Sequence, residues 1–308
     1  SIITESVGRV LDPDRPYVDA RLPDGSRVNI IAPPLSLDGI SISIRRFPYK
    51  ALMLEDLVAN GTMNSDMADF LTVCGKCKIN TMIVGGTGTG KTTLLNGICQ
   101  HVGDDERIIT IEDAAELRIP VRHKVRLESK PFIQGKPDYH QVTIRDLIIN
   151  ALRMRPDRII VGEVRGAEAF DMIQAMNTGH QGSMSTVHAN SPRDALVRLE
   201  NMITVAAPTI PVGAIKQRIA SAVELLVMVS RMDDGSRKVT HITEITGMES
   251  GTISTQDLFV FKQDDKVDGE EVTGKFETTN IMPRFVHKII KAGYSQEIKK
   301  IFNKPFSQ

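Results

Sequence analysis

The chain has 308 residues with 38 basic and 38 acidic side chains, so its formal net charge is zero. This balance excludes a general electrostatic attraction to nucleic acid or to an anionic membrane surface. No apolar run approaches the ~20 residues that a membrane-spanning helix needs, so we expect no direct insertion into a membrane.

Residues 1–50 are predicted to form a small N-terminal antiparallel α+β domain. Short β-type runs alternate there with turn sequences such as "LPDGS". The predicted strands are residues 7–11, 17–22, 26–31 and 40–44. The pattern becomes helix-like from residue 47, and Pro48 marks the predicted linker. Because Ser1 already lies within strand-forming sequence, we expect an N-terminal portion to be missing.

Residues 51–308 are predicted to form an α/β domain with a mostly parallel sheet. Apolar strands alternate with helical segments from Asn80 onward, as in a sheet with crossover helices. The predicted strands are residues 81–84, 107–112, 124–127, 158–162 and 183–188. Capping residues predict helices that begin after Thr143 and Ser191.

The last third of the chain is predicted to contain a hairpin and a helical tail. A helix over residues 212–223 precedes "ELLVMVSR", "DDGS" and "RKVTHITEI", a pattern typical of a β-hairpin. Residues 262–280 are polar and turn-rich, without a repeat or a low-complexity segment. Apolar spacing after Pro283 predicts helix to the end.

A glycine-rich loop follows the first strand of the parallel sheet. Gly85, Gly90, Lys91 and Thr92 match G-x-x-x-x-G-K-[ST] between a buried-strand pattern and an amphipathic helix, which argues against a mere turn. Glycines leave space for a phosphate chain to reach backbone N–H groups at a helix start. Lys91 is then predicted to reach the β- and γ-phosphates and Thr92 to bind Mg²⁺. The residues predicted to bind ATP here are Gly85, Gly86, Thr87, Gly88, Thr89, Gly90, Lys91, Thr92 and Thr93.

Carboxylates end two other predicted strands. "RIITIED" ends in Glu112 and Asp113, and "DRIIVGE" ends in Glu163. Since parallel strands end at one edge, where the loop also lies, we expect Glu112 and Glu163 beside the γ-phosphate. Gly162 stands where a typical P-loop enzyme has its Mg²⁺-binding Asp. We therefore predict that one of the two acids, Glu163 or Glu112, acts on the attacking water and the other on the metal. Glu163 would reach Mg²⁺ through a water molecule. The alternative is that each acid only caps a helix.

Four segments in order resemble the signature of the ATPases that drive type II secretion, type IV pili and type IV secretion. Residues 85–93 resemble the Walker A loop, 110–117 the aspartate box, 154–166 the Walker B motif and 175–203 the histidine box. The sequences "DARLPDGSRVN", "STVHANSPRDAL" and "RKVTHITEI" look like the Tad (Flp) pilus subgroup.

This resemblance implies a RecA-like P-loop ATPase domain, a linked N-terminal domain and a homo-hexameric ring that uses ATP and Mg²⁺. Such a motor would lie in the cytoplasm, at the inner face of the cytoplasmic membrane, and act on inner-membrane platform proteins of a pilus or secretion system. It implies that Glu112 and Glu163 form the acidic pair, with Glu163 and Thr92 at the metal. His188 and His180 would sense or contact the γ-phosphate.

Arginines of the N-terminal sheet would, by the same resemblance, reach the nucleotide phosphates from their own or a neighbouring subunit. The matching positions are Arg21, Arg27 and Arg45. An arginine at the transition state contributes ~10³–10⁵ in rate. The alternative is a set of solvated strand-face charges. Arg165 is expected to pair with a carboxylate or with a neighbouring subunit.

Other functions remain open at this stage. A DNA-translocating ATPase of the same superfamily would need a basic surface, which the neutral composition does not favour, so we expect no nucleic-acid partner. A ring component that binds ATP without hydrolysing it would not need both Glu112 and Glu163. A small-molecule kinase also has a P-loop, but its sequence would not contain the histidine box.

The cysteines predict a reducing compartment rather than a metal centre. Cys74, Cys77 and Cys99 are an odd number without a signal-peptide pattern. Cys74 and Cys77 have no second pair, so we expect no zinc site. Met172 and Met176 are spaced as on an apolar helix face and are predicted to lie in the core.

Overall fold

The computed structural model describes Leu11 and residues 16–46, 51–130, 140–264 and 271–302. The chain forms two compact units, Ser1–Ala51 and Leu52–Gln308. The predicted domains 1–50 and 51–308 and the linker between them stay predictions. Pro48 and most of the predicted strand 7–11 lie outside the described residues.

The first unit contains a three-stranded antiparallel sheet in the order β1-β2-β3. Its strands are β1 (Tyr17–Arg21), β2 (Arg27–Ile31) and β3 (Ser41–Arg45). Val18, Val28 and Ile30 form its small buried core. The β1–β2 turn needs Gly25, whose φ is 88°, and Asp24 accepts the N–H of Ser26 at 2.9 Å. The three strands predicted at 17–44 are therefore confirmed within one residue at each end.

The second unit is built on a nine-stranded sheet in the order β12-β11-β10-β9-β4-β8-β7-β5-β6. Its strands are β4 (Thr81–Gly85), β5 (Arg107–Glu112), β6 (His123–Glu128), β7 (Arg158–Val164), β8 (Met184–His188), β9 (Leu225–Arg231), β10 (Arg237–Glu249), β11 (Thr252–Gln263) and β12 (Gly274–Thr278). The strands from β9 to β6 are parallel, and β10, β11 and β12 add antiparallel pairs. The predicted α/β fold with a mostly parallel sheet is confirmed.

Helices cover both faces of this sheet. They are α1 (Leu54–Ala59), α2 (Ser65–Lys76), α3 (Lys91–Cys99), α4 (Ile144–Ala151), α5 (Glu168–Asn177), α6 (Pro192–Ala206), α7 (Val212–Ala222), α8 (Val286–Lys291) and α9 (Ser295–Phe302). Neighbouring strand residues point to opposite faces, so Ile83 joins one core while Met82 and Val84 join the other. Met172 and Met176 are buried, as predicted. No described helix combines the length and the apolar character that crossing a membrane requires.

No strand was predicted in the polar, turn-rich residues 262–280, but the structure has strand there. Strand β11 extends to Gln263, and β12 forms the edge of the sheet beside it. The edge position explains the miss, because β12 alternates "GKFET" with few apolar residues to signal a strand. Phe276 still packs on Phe261, with ring centroids 4.8 Å apart.

Candidate active site

The phosphate loop, residues 86–90, connects β4 to α3. Gly90 forms the N-cap of α3 with φ 98°, a backbone conformation that favours glycine. A Cβ at Gly85 would lie 2.4 Å from the Val229 carbonyl oxygen and 2.6 Å from Thr89 Oγ1. These two glycines are therefore required by the loop itself, and the predicted strand–loop–helix context is confirmed. ATP binding by residues 85–93 stays a prediction.

Lys91 lies folded against this loop. Its Nζ donates a hydrogen bond to the Gly86 carbonyl at 2.7 Å, and Thr89 Oγ1 donates to the same oxygen at 3.1 Å. Burial lowers the pKa of Lys91, while the nearby Glu163 carboxylate opposes that shift. The ammonium is thus held beside the loop backbone and within electrostatic reach of Glu163.

Strand register brings His188 to the same edge. In the parallel pairing of β4 with β8, Gly85 lies opposite His188, so this half-buried histidine stands at the start of the phosphate loop. Strand β7 follows on the other side of β8, and Thr186 Oγ1 donates to the Gly162 carbonyl at 2.8 Å. The edge therefore combines Lys91, His188 and the end of β7.

Glu163 is oriented by an arginine. Arg165 donates to Glu163 Oε2 at 2.7 Å through Nε and contacts it at 2.6 Å through Nη2. The same guanidinium contacts Asp113 Oδ2 at 3.1 Å. Of the two expectations for Arg165, pairing with a carboxylate within the chain is therefore confirmed.

Glu112 is a buried carboxyl at the end of β5. It is 3% exposed, and its Oε1 accepts the N–H groups of Glu116 and Leu117 at 2.9 and 3.0 Å. Burial raises the pKa of Glu112 to about 7, although the two N–H groups act in the opposite direction. Such a group gains or loses a proton near neutral pH, as a general acid or base must.

Gly162 makes room for Glu112. A Cβ at Gly162 would lie 3.1 Å from Glu112 Cγ, closer than ordinary van der Waals contact. The glycine that replaces the usual Asp of this motif thus lets the buried carboxyl pack directly against β7, one residue before Glu163. The departure at Gly162 is visible in the sequence, but this physical reason for it is not.

The structure does not bring His180 to this edge. It precedes β8, whose first residue, Met184, lies opposite Thr81 at the amino end of β4. Five residues of strand, roughly 16 Å, separate that end from the phosphate loop. His180 Nδ1 instead lies 3.3 Å from the Ala175 carbonyl oxygen. This placement gives no support to a contact with the γ-phosphate within one chain.

The predicted arginines share one row of the small sheet in the first unit. Arg21 lies opposite Arg27 in β1 and β2, and Arg27 lies opposite Arg45 in β3. Arg27 is exposed, and its Nε lies 4.0 Å from Asp19.

The donor set near Lys91 suits Mg²⁺. Among the described residues, no three His, Cys, Asp or Glu side chains are grouped so that they could hold a metal ion. Mg²⁺ bound with a nucleotide needs only one or two protein oxygens, since phosphates and waters supply the others. The Thr92 hydroxyl, in the first turn of α3, and the Glu163 carboxylate are hard oxygen donors of this kind.

Comparisons with known proteins show which family the chain resembles. A family model described as type II/IV secretion system protein matches residues 7–286. The conjugal transfer protein TrbB of Rhizobium radiobacter is 32% identical over 260 residues, covering 83% of this chain and 76% of TrbB. An uncharacterized protein of Methanocaldococcus jannaschii is 48% identical over 188 residues, 59% of this chain, but the match spans only 26% of that protein. The crystal structure of the VirB11 ATPase of Brucella suis, in complex with sulphate, has a TM-score of 0.52 and 29% identity, covering 76% of this chain and 75% of that one.

Proposed function

The chain belongs to the type II/IV secretion system protein family and is an ATPase of that family, and we propose that it works as a hexameric motor powering pilus assembly or secretion. One observation supports the proposal: Lys91, Glu163 and His188 lie at the sheet edge where strands β4, β7 and β8 end. Membership of the Tad pilus subgroup stays a prediction.

In the proposed reaction, the triphosphate of ATP lies over residues 85–93. When ATP binds, Lys91 Nζ gives up its hydrogen bond to the Gly86 carbonyl and bonds to phosphate oxygens instead. Charged phosphate oxygens attract an ammonium more strongly than a neutral carbonyl does. Glu163, oriented by Arg165, and Glu112, with its pKa about 7, share the orientation and deprotonation of the attacking water. Mg²⁺ bound through Thr92 and Glu163 would supply positive charge to the phosphate oxygens.

We propose that the arginine row supplies cations to the nucleotide of its own or a neighbouring subunit. Hydrolysis would remove the γ-phosphate that these cations and His188 attract, and this loss would drive a nucleotide-dependent motion. Repeated cycles of this motion around a ring would move an inner-membrane platform protein at the cytoplasmic face of the membrane. This last step rests on the family resemblance.

Phosphate release and ADP binding test the enzymatic part of the proposal. The wild-type chain should bind ADP and release phosphate from ATP with Mg²⁺. Lys91→Ala should lose nucleotide binding, whereas Glu163→Gln should bind ADP normally and lose at least about 100-fold in turnover. Normal turnover in Glu163→Gln would remove this carboxylate from the reaction.

Mixed subunits test the ring. Lys91→Ala and Arg27→Ala subunits, each inactive alone, should regain part of the activity when mixed if Arg27 acts on a neighbour's nucleotide.

A sixfold mass that forms with a non-hydrolysable ATP analogue would support the hexamer. A monomer at all nucleotide concentrations would contradict it.

A second candidate is a motor of conjugal DNA transfer, favoured by the similarity to TrbB. DNA-stimulated phosphate release would support this candidate. The zero net charge of the chain favours the first one, for which added duplex DNA should leave turnover unchanged.

A further inference from the structure

Arg237 lies at the phosphate-loop edge, although the sequence predicted no site role for it. Strand β9 runs parallel to β4, and β10 returns antiparallel to β9 with Arg237 opposite Arg231. The hairpin thereby brings the start of β10 to the edge where β4 ends. The Val229 carbonyl of β9 already abuts Gly85, so this hairpin supports the loop from one side.

The Arg237 side chain contacts the loop at two points. Its Nε donates a hydrogen bond to the Gly88 carbonyl at 3.2 Å. Its Cδ lies 3.5 Å from the position that a Cβ at Gly90 would take, so the aliphatic stem covers that glycine. Gly88, with φ 70°, and Gly90, with φ 98°, both have left-handed backbone conformations. Arg237 therefore holds the part of the loop whose backbone is least restricted by its own side chains.

The bond to the Gly88 carbonyl also fixes the next amide. A trans peptide is planar, so the Gly88 carbonyl and the Thr89 N–H point in opposite directions. A loop of this type binds phosphate with converging backbone N–H groups. The guanidinium that holds this carbonyl consequently directs the Thr89 N–H away from Arg237, and it polarises the amide as a better donor.

We propose that Arg237 is a positioning residue of the phosphate loop, which orients the Thr89 N–H toward the phosphates of the bound nucleotide. The proposal deepens the proposed function and rests on it. Arg237 acts through the loop backbone and does not itself contact the nucleotide. It should stabilise bound ADP and the transition state of ATP hydrolysis equally, because both use the same N–H group.

Calorimetric titration with ADP tests this role. Arg237→Ala should weaken ADP binding about tenfold, the low end of the range for a hydrogen bond from a charged donor, because Arg237 acts on the nucleotide only through the loop backbone. Arg237→Lys keeps a cationic donor and should restore most of the affinity. Arg231→Ala is the matched control: Arg231 is also exposed, lies opposite Arg237 and makes no hydrogen bond or ion pair with any described residue.

Steady-state kinetics separate positioning from a merely structural effect. Arg237→Ala should raise the KM for ATP by a similar factor and leave kcat nearly unchanged, as expected for loss of uniform binding. Wild-type affinity in Arg237→Ala would overturn the proposal. An equal loss in Arg231→Ala would also overturn it, because a general charge effect would then explain the result. If the wild-type protein binds no ADP, the proposed function fails. If Lys91→Ala abolishes ADP binding while Arg237→Ala does not reduce it, only the positioning role of Arg237 fails.

Discussion

Replacing Glu112 with glutamine should stabilise the fold in a pH-dependent way while it removes activity. Glu112 is buried, and its pKa is raised from an ordinary 4.5 to about 7. The folded state therefore binds this proton more tightly than the unfolded state does. Its stabilising effect is full below pH 4.5 and is lost as pH rises through 7.

The magnitude follows from the pKa difference. At about 1.4 kcal/mol per pKa unit, the ionised carboxylate costs the folded state about 3 kcal/mol above pH 7. Glutamine stays neutral, and its amide oxygen still accepts the N–H groups of Glu116 and Leu117. The free energy of unfolding of Glu112→Gln, minus that of wild type, should thus grow by about 2.5 kcal/mol between pH 5 and pH 8.

Urea unfolding at pH 5, 6, 7 and 8 measures this difference, and phosphate release at pH 7 measures activity. Turnover should fall at least about 100-fold if Glu112 handles the proton of the attacking water. Glu128→Gln is the matched control, since exposed Glu128 lies opposite Glu112 in β6 and its replacement should change stability little. A stability difference that stays constant with pH would refute the raised pKa, and full activity would leave Glu112 a structural residue.

Three further substitutions test neighbouring parts of the structure. Arg158→Ala should cost about 3 kcal/mol of unfolding free energy in urea, because it removes the guanidinium that contacts the buried Glu106 carboxylate at 2.6 Å and leaves only Lys78, at 3.2 Å, to pair with it; a loss under about 1 kcal/mol would contradict this. Gly162→Ala should lower kcat about tenfold by displacing Glu112 and leave ADP affinity intact, whereas unchanged turnover would show that the carboxyl tolerates displacement. Thr92→Ala should raise the Mg²⁺ concentration for half-maximal turnover without changing ADP affinity in EDTA, and an unchanged Mg²⁺ requirement would exclude this hydroxyl as a ligand.

The central strands were predictable because they are buried on both faces. Residues such as Ile83 and Val84 need apolar neighbours on each side, so their strand appears as a continuous apolar run. Helix starts were equally predictable where a side chain caps the first turn. Thr143 accepts the N–H of Asp146, whose carboxylate accepts the Thr143 N–H at 2.8 Å.

The remaining features depend on tertiary register. Whether a histidine precedes or ends a strand decides which sheet edge it occupies, and this separates His180 from His188. Arg237 reaches the phosphate loop only because β9 lies next to β4, a pairing that local sequence does not encode. The close packing of Gly162 on Glu112 likewise joins residues that are distant in the sequence.

A structure of the protein with Mg²⁺ and a non-hydrolysable ATP analogue is the most direct test of the shared sheet edge. The γ-phosphate should lie against Lys91 Nζ, with Glu163 and His188 facing it and Glu112, beside Gly162, within reach of the attacking water. A triphosphate bound elsewhere, or one bound at the loop with Glu163 and His188 turned away from it, would contradict the proposed reaction centre.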